Sequence, residues 1–414
     1  MRVCFCSVRA EFLNDETSRA PQSCPHTTMK ALAVLPPDRW MEINLLDTLR
    51  RHYCDKLRVF TYPGGMGRLG SKVWRKERDE LNTRLVALAR TLKAAGELDL
   101  LFCIVYDDFL TVETARQLRQ LNVTMVNYHV DMAFQWYRVI RTAPYFDVLA
   151  VAQMTNAEHL APYTSNIHWM PMAANPAWYA SRADTNSGPG HDVCFVGSFN
   201  PYRRALIAEC VQRGFKPSVY GRGWTSEALS PYRFDWDAYK IWHDVRYYAL
   251  PRLRAEGVGS LIEPIEKKYA RTHAFEELRG PEFFPPCTDE AMPGIFRSSK
   301  MNLGFSDTGW HRGEKVIPSI NLQCRLRDFE VPMSGGFYLV QEAPGHADYY
   351  KIGEEVETWK GADELVDKLS YYSKNSAAML RIREAGKKRA LQSHTWQHRF
   401  DRLFDYLRSH GTSI

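Results

Sequence analysis

Arg327 and Glu330 stand three residues apart in Arg327-Asp328-Phe329-Glu330-Val331-Pro332-Met333-Ser334-Gly335-Gly336, which runs into the apolar series Phe337-Tyr338-Leu339-Val340. One helical turn would put the guanidinium and the carboxylate on the same face. A carboxylate so placed accepts two hydroxyl hydrogen bonds, the chemistry needed to grip a vicinal diol such as ribose. Gly335 and Gly336 would end the helix and let backbone approach a ligand closely. An ordinary helix–strand junction with an ion pair has the same residues, so the segment needs partners elsewhere to count as a site.

Several stretches supply candidates. Gly197-Ser198 follows the run Asp192–Val196 and precedes Phe199-Asn200-Pro201-Tyr202-Arg203-Arg204. A glycine turn opening onto a helix N-terminus seats a phosphate with backbone N–H groups, and Arg203 adds charge. Gly221 and Arg222, in Tyr220-Gly221-Arg222-Gly223-Trp224, offer close approach and a cation to a base or phosphate at the end of the next strand. Arg312 and Lys315 follow the run Met301–Phe305 and suit a diphosphate leaving group. Earlier in the chain, Asn127-Tyr128-His129-Val130-Asp131 ends a strand; His129 and Asp131 are the candidate general bases for an acceptor hydroxyl. Asp131 can equally cap the helix that follows.

Other patterns carry less. Gly65, Gly67 and Gly70 spell GxGxxG, but no helix begins there, and the segment reads as a mobile loop. Asp235-Trp236-Asp237 has DxD spacing without a preceding strand. His394 and His398 lack further ligands nearby, and no CxxC pair exists. No metal cofactor is expected.

The elements that must position these residues alternate. Strands at Ala31–Leu35, Leu57–Thr61, Leu98–Val105, Val123–Tyr128, Val148–Ala152 and Ile167–Met170 are separated by amphipathic helices, the longest at Lys76–Ala95. After a polar linker, residues 181–190, the alternation resumes with strands Asp192–Val196, Pro217–Tyr220, Met301–Phe305, Phe337–Val340 and Val356–Thr358. Apolar strands between helices predict parallel sheets covered on both faces. The expected fold is α/β, with two doubly wound Rossmann-like domains facing across a cleft: an N-terminal one over 29–180 and a C-terminal one over 191–393. Residues 230–286, dense in aromatics, read as a helical insertion in the second domain, and residues 1–28 as a flexible extension.

The 414 residues allow two or three sizeable cores, and a net charge of +6 suits an anionic small molecule better than it argues for nucleic acid. Nine cysteines, an odd number without metal or disulfide spacing, fit a reducing cytoplasm. No apolar run approaches the roughly 20 residues of a membrane span.

The residues Phe195-Val196-Gly197-Ser198, Arg327-Asp328-Phe329-Glu330, Gly335-Gly336-Phe337, Glu354-Glu355-Val356-Glu357-Thr358-Trp359, Ala385-Gly386 and His394-Thr395-Trp396-Gln397-His398-Arg399 occur in the order and approximate spacing of the CgeB-like, spore-maturation-type glycosyltransferases, a branch of the GT-B superfamily. The chain resembles that family firmly from Val193 to Phe404 and more weakly from Met29 to Pro176. The resemblance implies metal-independent transfer of a sugar from a nucleotide-diphosphate donor to a hydroxyl acceptor. It also implies donor binding by the second domain, a ribose contact at Glu330, and a final helix, residues 394–414, that returns to the first domain. Related retaining enzymes carry a second glutamate about eight positions upstream, where this chain has Leu322, which leaves the stereochemical outcome open. The acceptor stays open too: a glycan, a small molecule, a protein, or DNA as for a phage-type DNA base glycosyltransferase. A protein that binds a nucleotide or sugar without turnover is the reading from outside enzymology.

Overall fold

The computed structural model describes residues 29–63, 71–185, 188–224, 238–259, 278–307 and 322–412. They fall into two compact units, one formed by the segments up to Pro171, Phe234–Ile262 and from Trp396 on, the other by Met172–Arg233 and Glu263–Thr395.

The first unit holds a six-stranded, wholly parallel sheet of order β2-β1-β3-β4-β5-β6. Its strands are β1 Met29–Leu35, β2 Cys54–Thr61, β3 Leu100–Cys103, β4 Thr124–His129, β5 Val148–Val151 and β6 Ile167–Trp169. The central strands β3, β4 and β5 are buried along their whole length, as continuous apolar runs between two helical layers must be. Helix Lys72–Ala94, capped by Ser71, turns Trp74, Leu81, Leu85, Ala89 and Leu92 inward. The last helix, Trp396–Ser409, also belongs here: Phe400 meets Phe102 edge-on, and Arg399 Nε donates to the Pro171 carbonyl at 3.2 Å.

The second unit repeats the plan with order β12-β11-β10-β7-β8-β9, again all parallel. Its strands are β7 Val193–Val196, β8 Ser218–Tyr220, β9 Glu282–Phe284, β10 Met301–Gly304, β11 Tyr338–Gln341 and β12 Glu357–Trp359. The order reverses direction between β7 and β10, the place where open parallel sheets leave a crevice at their carboxyl ends.

Three features differ from the sequence expectation. Helix Pro176–Thr185 runs into the segment read as linker, because its residues have partners: Arg182 lies over the Trp178 ring at 3.6 Å and Tyr179 bonds to Glu330. The insertion read as part of the second domain supplies helices Ala238–Asp244 and Leu250–Glu256 to the first unit, where Trp136 Nε1 donates to Glu256 at 2.8 Å. Strand β9 was not legible; three residues are too few to show alternation, and stacking of Phe284 on Tyr220 and of Phe283 on Trp224 fixes it.

Candidate functional site

Glu330 lies in helix Arg327–Met333, which carries the chain from the end of β10 toward the start of β11, so its first turn sits on the carboxyl side of the sheet. The side chain is completely buried. One carboxylate oxygen accepts the Tyr179 hydroxyl and the other accepts from the Arg327 guanidinium, which stays 34% exposed. Among the described residues two of the four lone-pair sites are thus filled, one of them by a hydroxyl. Two glycines expected to admit a ligand do something else. Gly335 has φ +76° and closes the helix, and a Cβ on Gly336 would stand 2.8 Å from the Phe296 carbonyl oxygen and from Asn302 Nδ2. They let helix and strand pack closely.

At the reversal point, β7 ends on Gly197-Ser198 and β10 leads to Asp307. Asp307 is fully buried and accepts from Asn200 Nδ2 at 2.7 Å and from Arg203 Nε at 2.8 Å, while Arg203 also donates to the Ser198 carbonyl at 3.0 Å. Asn200 Oδ1 caps helix Pro201–Gln212 by accepting the Arg203 N–H. Arg203, expected to face a phosphate, therefore spends its guanidinium on Asp307 and the turn, because a buried carboxylate needs a counter-charge. The Gly197 carbonyl accepts Trp224 Nε1 at 2.8 Å, and a Cβ on Gly221 would fall 2.0 Å from that oxygen. Gly221 is required by the neighbouring turn of the chain itself. Arg222 is exposed. Arg312 and Lys315 lie outside the described residues.

Sequence reasoning missed a network beside Glu330. Asp328, buried, accepts from Tyr338 Oη at 2.9 Å and from the Arg325 N–H at 2.7 Å, and lies 2.9 Å from His346 Nε2. Cys324 is adjacent; the ligand-type atoms of Cys324, Asp328 and His346 all fall within 4.8 Å of one another. His346 Nδ1 accepts the Ala343 N–H at 3.0 Å, so the ring proton belongs on Nε2, aimed at Asp328. An imidazole with its proton on Nε2 has no lone pair to give a metal there. The trio, as arranged, is a hydrogen-bonded brace behind the helix that carries Glu330. Its signal was present in the sequence, since Asp328 adjoins the singled-out pair, but only the fold brings His346 to it.

In the first unit, His129 ends β4 almost wholly buried, Nε2 3.0 Å from the Gln135 carbonyl, with Tyr106 against it edge-on. Burial pushes its pKa down to about 3, so it is neutral at pH 7 and a poor proton acceptor. Asp131 is half-buried, two residues further, at the N-cap of helix Met132–Gln135, yet its side chain makes no capping bond. Its capping role is not realised. Nearby, Asp108 accepts from Arg138 at 2.6 Å and from Tyr248 at 3.0 Å, tying the insertion helix to the sheet edge.

The depressed His129 pKa has a consequence for stability. The unfolded chain takes up that proton first as pH falls, so this contribution is present above about pH 6.5 and drains away toward pH 3. Unfolding free energy should fall as pH drops from 6.5 to 4.5, by up to about 1.4 kcal/mol per pH unit for this group, and melting temperature should fall with it. His129→Gln should flatten that slope by one proton's worth; an unchanged slope in the variant would sink the attribution.

Residues 203–405 match a family model described as glycosyl transferase-like. Three solved structures illustrate the fold over nearly the whole chain. HepE from Anabaena, solved in complex with UDP, is 10% identical with a TM-score of 0.54 over 92% of this chain and 100% of its own. A sucrose-phosphate synthase from Thermosynechococcus elongatus is 12% identical, with a TM-score of 0.56 over 92% of this chain and 100% of its own. A glycosyltransferase from Rickettsia africae is 10% identical, with a TM-score of 0.52 over 94% and 100%. No curated protein sequence matches the chain. Among the described residues no helix is long and apolar enough to cross a membrane. At these identities the structural likeness speaks for the fold, two six-stranded parallel sheets of GT-B type; the family match over 203–405 adds the activity, and the chain is a glycosyltransferase with that fold.

Proposed function

We propose that this glycosyltransferase belongs to the CgeB-like branch and moves a sugar from a uridine-diphosphate donor to a hydroxyl acceptor without a metal. The observation that carries this reading is the buried Glu330 carboxylate, which already accepts one hydroxyl, from Tyr179, the kind of hydrogen bond a ribose hydroxyl would make in its place. The backbone at Gly197-Ser198, at the reversal of the second sheet, suits the diphosphate. Arg222, Arg312, Lys315 and the exposed part of Arg327 would meet its charge. Arginine and lysine charge stands in for a metal in this scheme, and the buried carboxylates Asp307 and Asp328 are already occupied by protein donors.

In the transfer step the bond from the sugar's anomeric carbon to the diphosphate oxygen breaks, and the electron pair leaves with the nucleotide. The acceptor oxygen bonds to that carbon and its proton passes to a base. Asp131 is the better of the two candidates: it is half-buried, and the neighbouring His129 is held neutral and enclosed. The six described cysteines are all unpaired, which fits the reducing cytoplasm expected from sequence.

Two measurements test the reading. UDP, GDP, ADP, CDP and dTDP are compared for their effect on melting temperature, with and without magnesium. UDP should raise it and magnesium should not matter; a rise that needs magnesium, or none with any nucleotide, removes the donor assignment. Asp131→Ala should lower turnover by about a hundredfold or more and leave the UDP response intact. Unchanged turnover would take Asp131 out of the reaction.

A further inference from the structure

Among the described residues, the insertion helices of the first unit present an exposed stripe that no other element covers. Helix Ala238–Asp244 continues through a π-turn, Val245–Ala249, into helix Leu250–Glu256. One side is anchored: His243 is buried, Tyr248 bonds to Asp108 at 3.0 Å, and Arg141 lies over Tyr247 at 4.9 Å. The other side exposes Ile241 (41%), Trp242 (48%), Val245 (45%) and Leu250 (39%).

The π-turn makes this a stripe. At about 100° per residue an unbroken α-helix would carry Leu250 roughly 180° away from Ile241. The wide turn, closed by the Leu250 N–H onto the Val245 carbonyl, absorbs one extra residue and returns Leu250 to the side of Ile241, Trp242 and Val245. Arg246 and Arg254 fall along the same side and are exposed, Arg246 lying over the Trp242 ring at 5.0 Å. The acidic residues of the segment are engaged: Asp244 with Lys240 at 2.8 Å, and Glu256 with Arg252 and Trp136. The stripe thus combines exposed aliphatics, a tryptophan and two arginines.

We propose that this stripe is a docking face for the surface of an anionic lipid bilayer, with the side chains of Ile241, Trp242, Val245 and Leu250 entering the interface and Arg246 and Arg254 meeting lipid phosphates. A helix with one apolar, Trp-bearing side edged by arginine binds in the plane of a bilayer through buried apolar area plus attraction to anionic lipid. Tryptophan sits well at that boundary because its ring is apolar with one polar edge. An acidic protein surface would satisfy the arginines but not the linear run of aliphatics without a groove of its own.

The test is co-sedimentation of the full-length protein with phosphatidylcholine vesicles, with and without phosphatidylglycerol. The wild type should pellet with the anionic vesicles and stay in solution with the neutral ones. Ile241→Ser combined with Trp242→Ser should abolish pelleting. Arg246→Glu combined with Arg254→Glu should lower the partition coefficient at least about tenfold. Both variants should keep the wild-type melting temperature, since the substituted side chains face solvent. Failure of the wild type to pellet with anionic vesicles overturns the proposal, as does pelleting of the variants at the wild-type level. A concentration-dependent dimer that the serine variant loses would assign the stripe to a second copy of the chain and overturn it equally.

Discussion

Glu330→Gln should weaken UDP binding by about a hundredfold while leaving the fold nearly as stable. The amide keeps the shape and one acceptor oxygen but loses the negative charge. A hydrogen bond to a charged group is worth about 1.5–3 kcal/mol, and a diol makes two of them. Losing most of the charge-assisted part of both gives a factor of about 10². The stability effect is smaller. Arg327, the ionic partner, is a third exposed, so solvent takes over much of its stabilisation and the lost pair is worth about 1 kcal/mol. Tyr179→Phe supplies the comparison, because it removes the protein hydroxyl that occupies one carboxylate oxygen. If ribose displaces that hydroxyl, UDP should bind Tyr179→Phe as tightly as wild type or tighter. If Tyr179 holds the carboxylate in place, affinity falls. Isothermal titration of both variants with UDP decides the matter, and wild-type affinity in Glu330→Gln would end the ribose assignment.

How far the sequence led can be read residue by residue. The parallel sheets were legible because a strand buried on both faces is a continuous apolar run, as in Leu100–Cys103 and Tyr338–Gln341. The Arg327–Glu330 pair was legible because helical spacing alone brings those groups together, and the structure joins them directly. What stayed hidden depends on long-range closure. Arg203 looked free in sequence; its partner Asp307 lies 104 positions away and becomes a neighbour only when β7 pairs with β10. Tyr179 sat at the edge of a segment whose Gly, Pro and Ser content reads as linker, and no local pattern points to a contact 151 residues on. The glycines misled for a related reason. Close approach was rightly inferred at Gly221 and Gly336, but the approaching group is the chain's own backbone.

That distinction gives Gly221→Ala its meaning. The added Cβ would stand 2.0 Å from the Gly197 carbonyl oxygen and 3.1 Å from Trp224 Nε1, the very pair whose 2.8 Å hydrogen bond closes the turn after β7. Relief requires the ends of β7 and β8 to separate, which strains the 2.8 Å bond from the Gly197 N–H to the Tyr220 carbonyl and leaves the indole N–H of a buried tryptophan poorly paired. Overpacking of this kind combined with an unmet buried donor amounts to about 3 kcal/mol or more. Gly361→Ala is the control, since nothing lies within 4 Å of its would-be Cβ, and it should cost about 1 kcal/mol or less as a change of helix cap. Denaturant unfolding of the two variants measures the difference. If instead Gly221 is there to admit a ligand, Gly221→Ala keeps wild-type stability and loses UDP binding. Only the first outcome agrees with a turn in which one glycine makes room for the carbonyl of another.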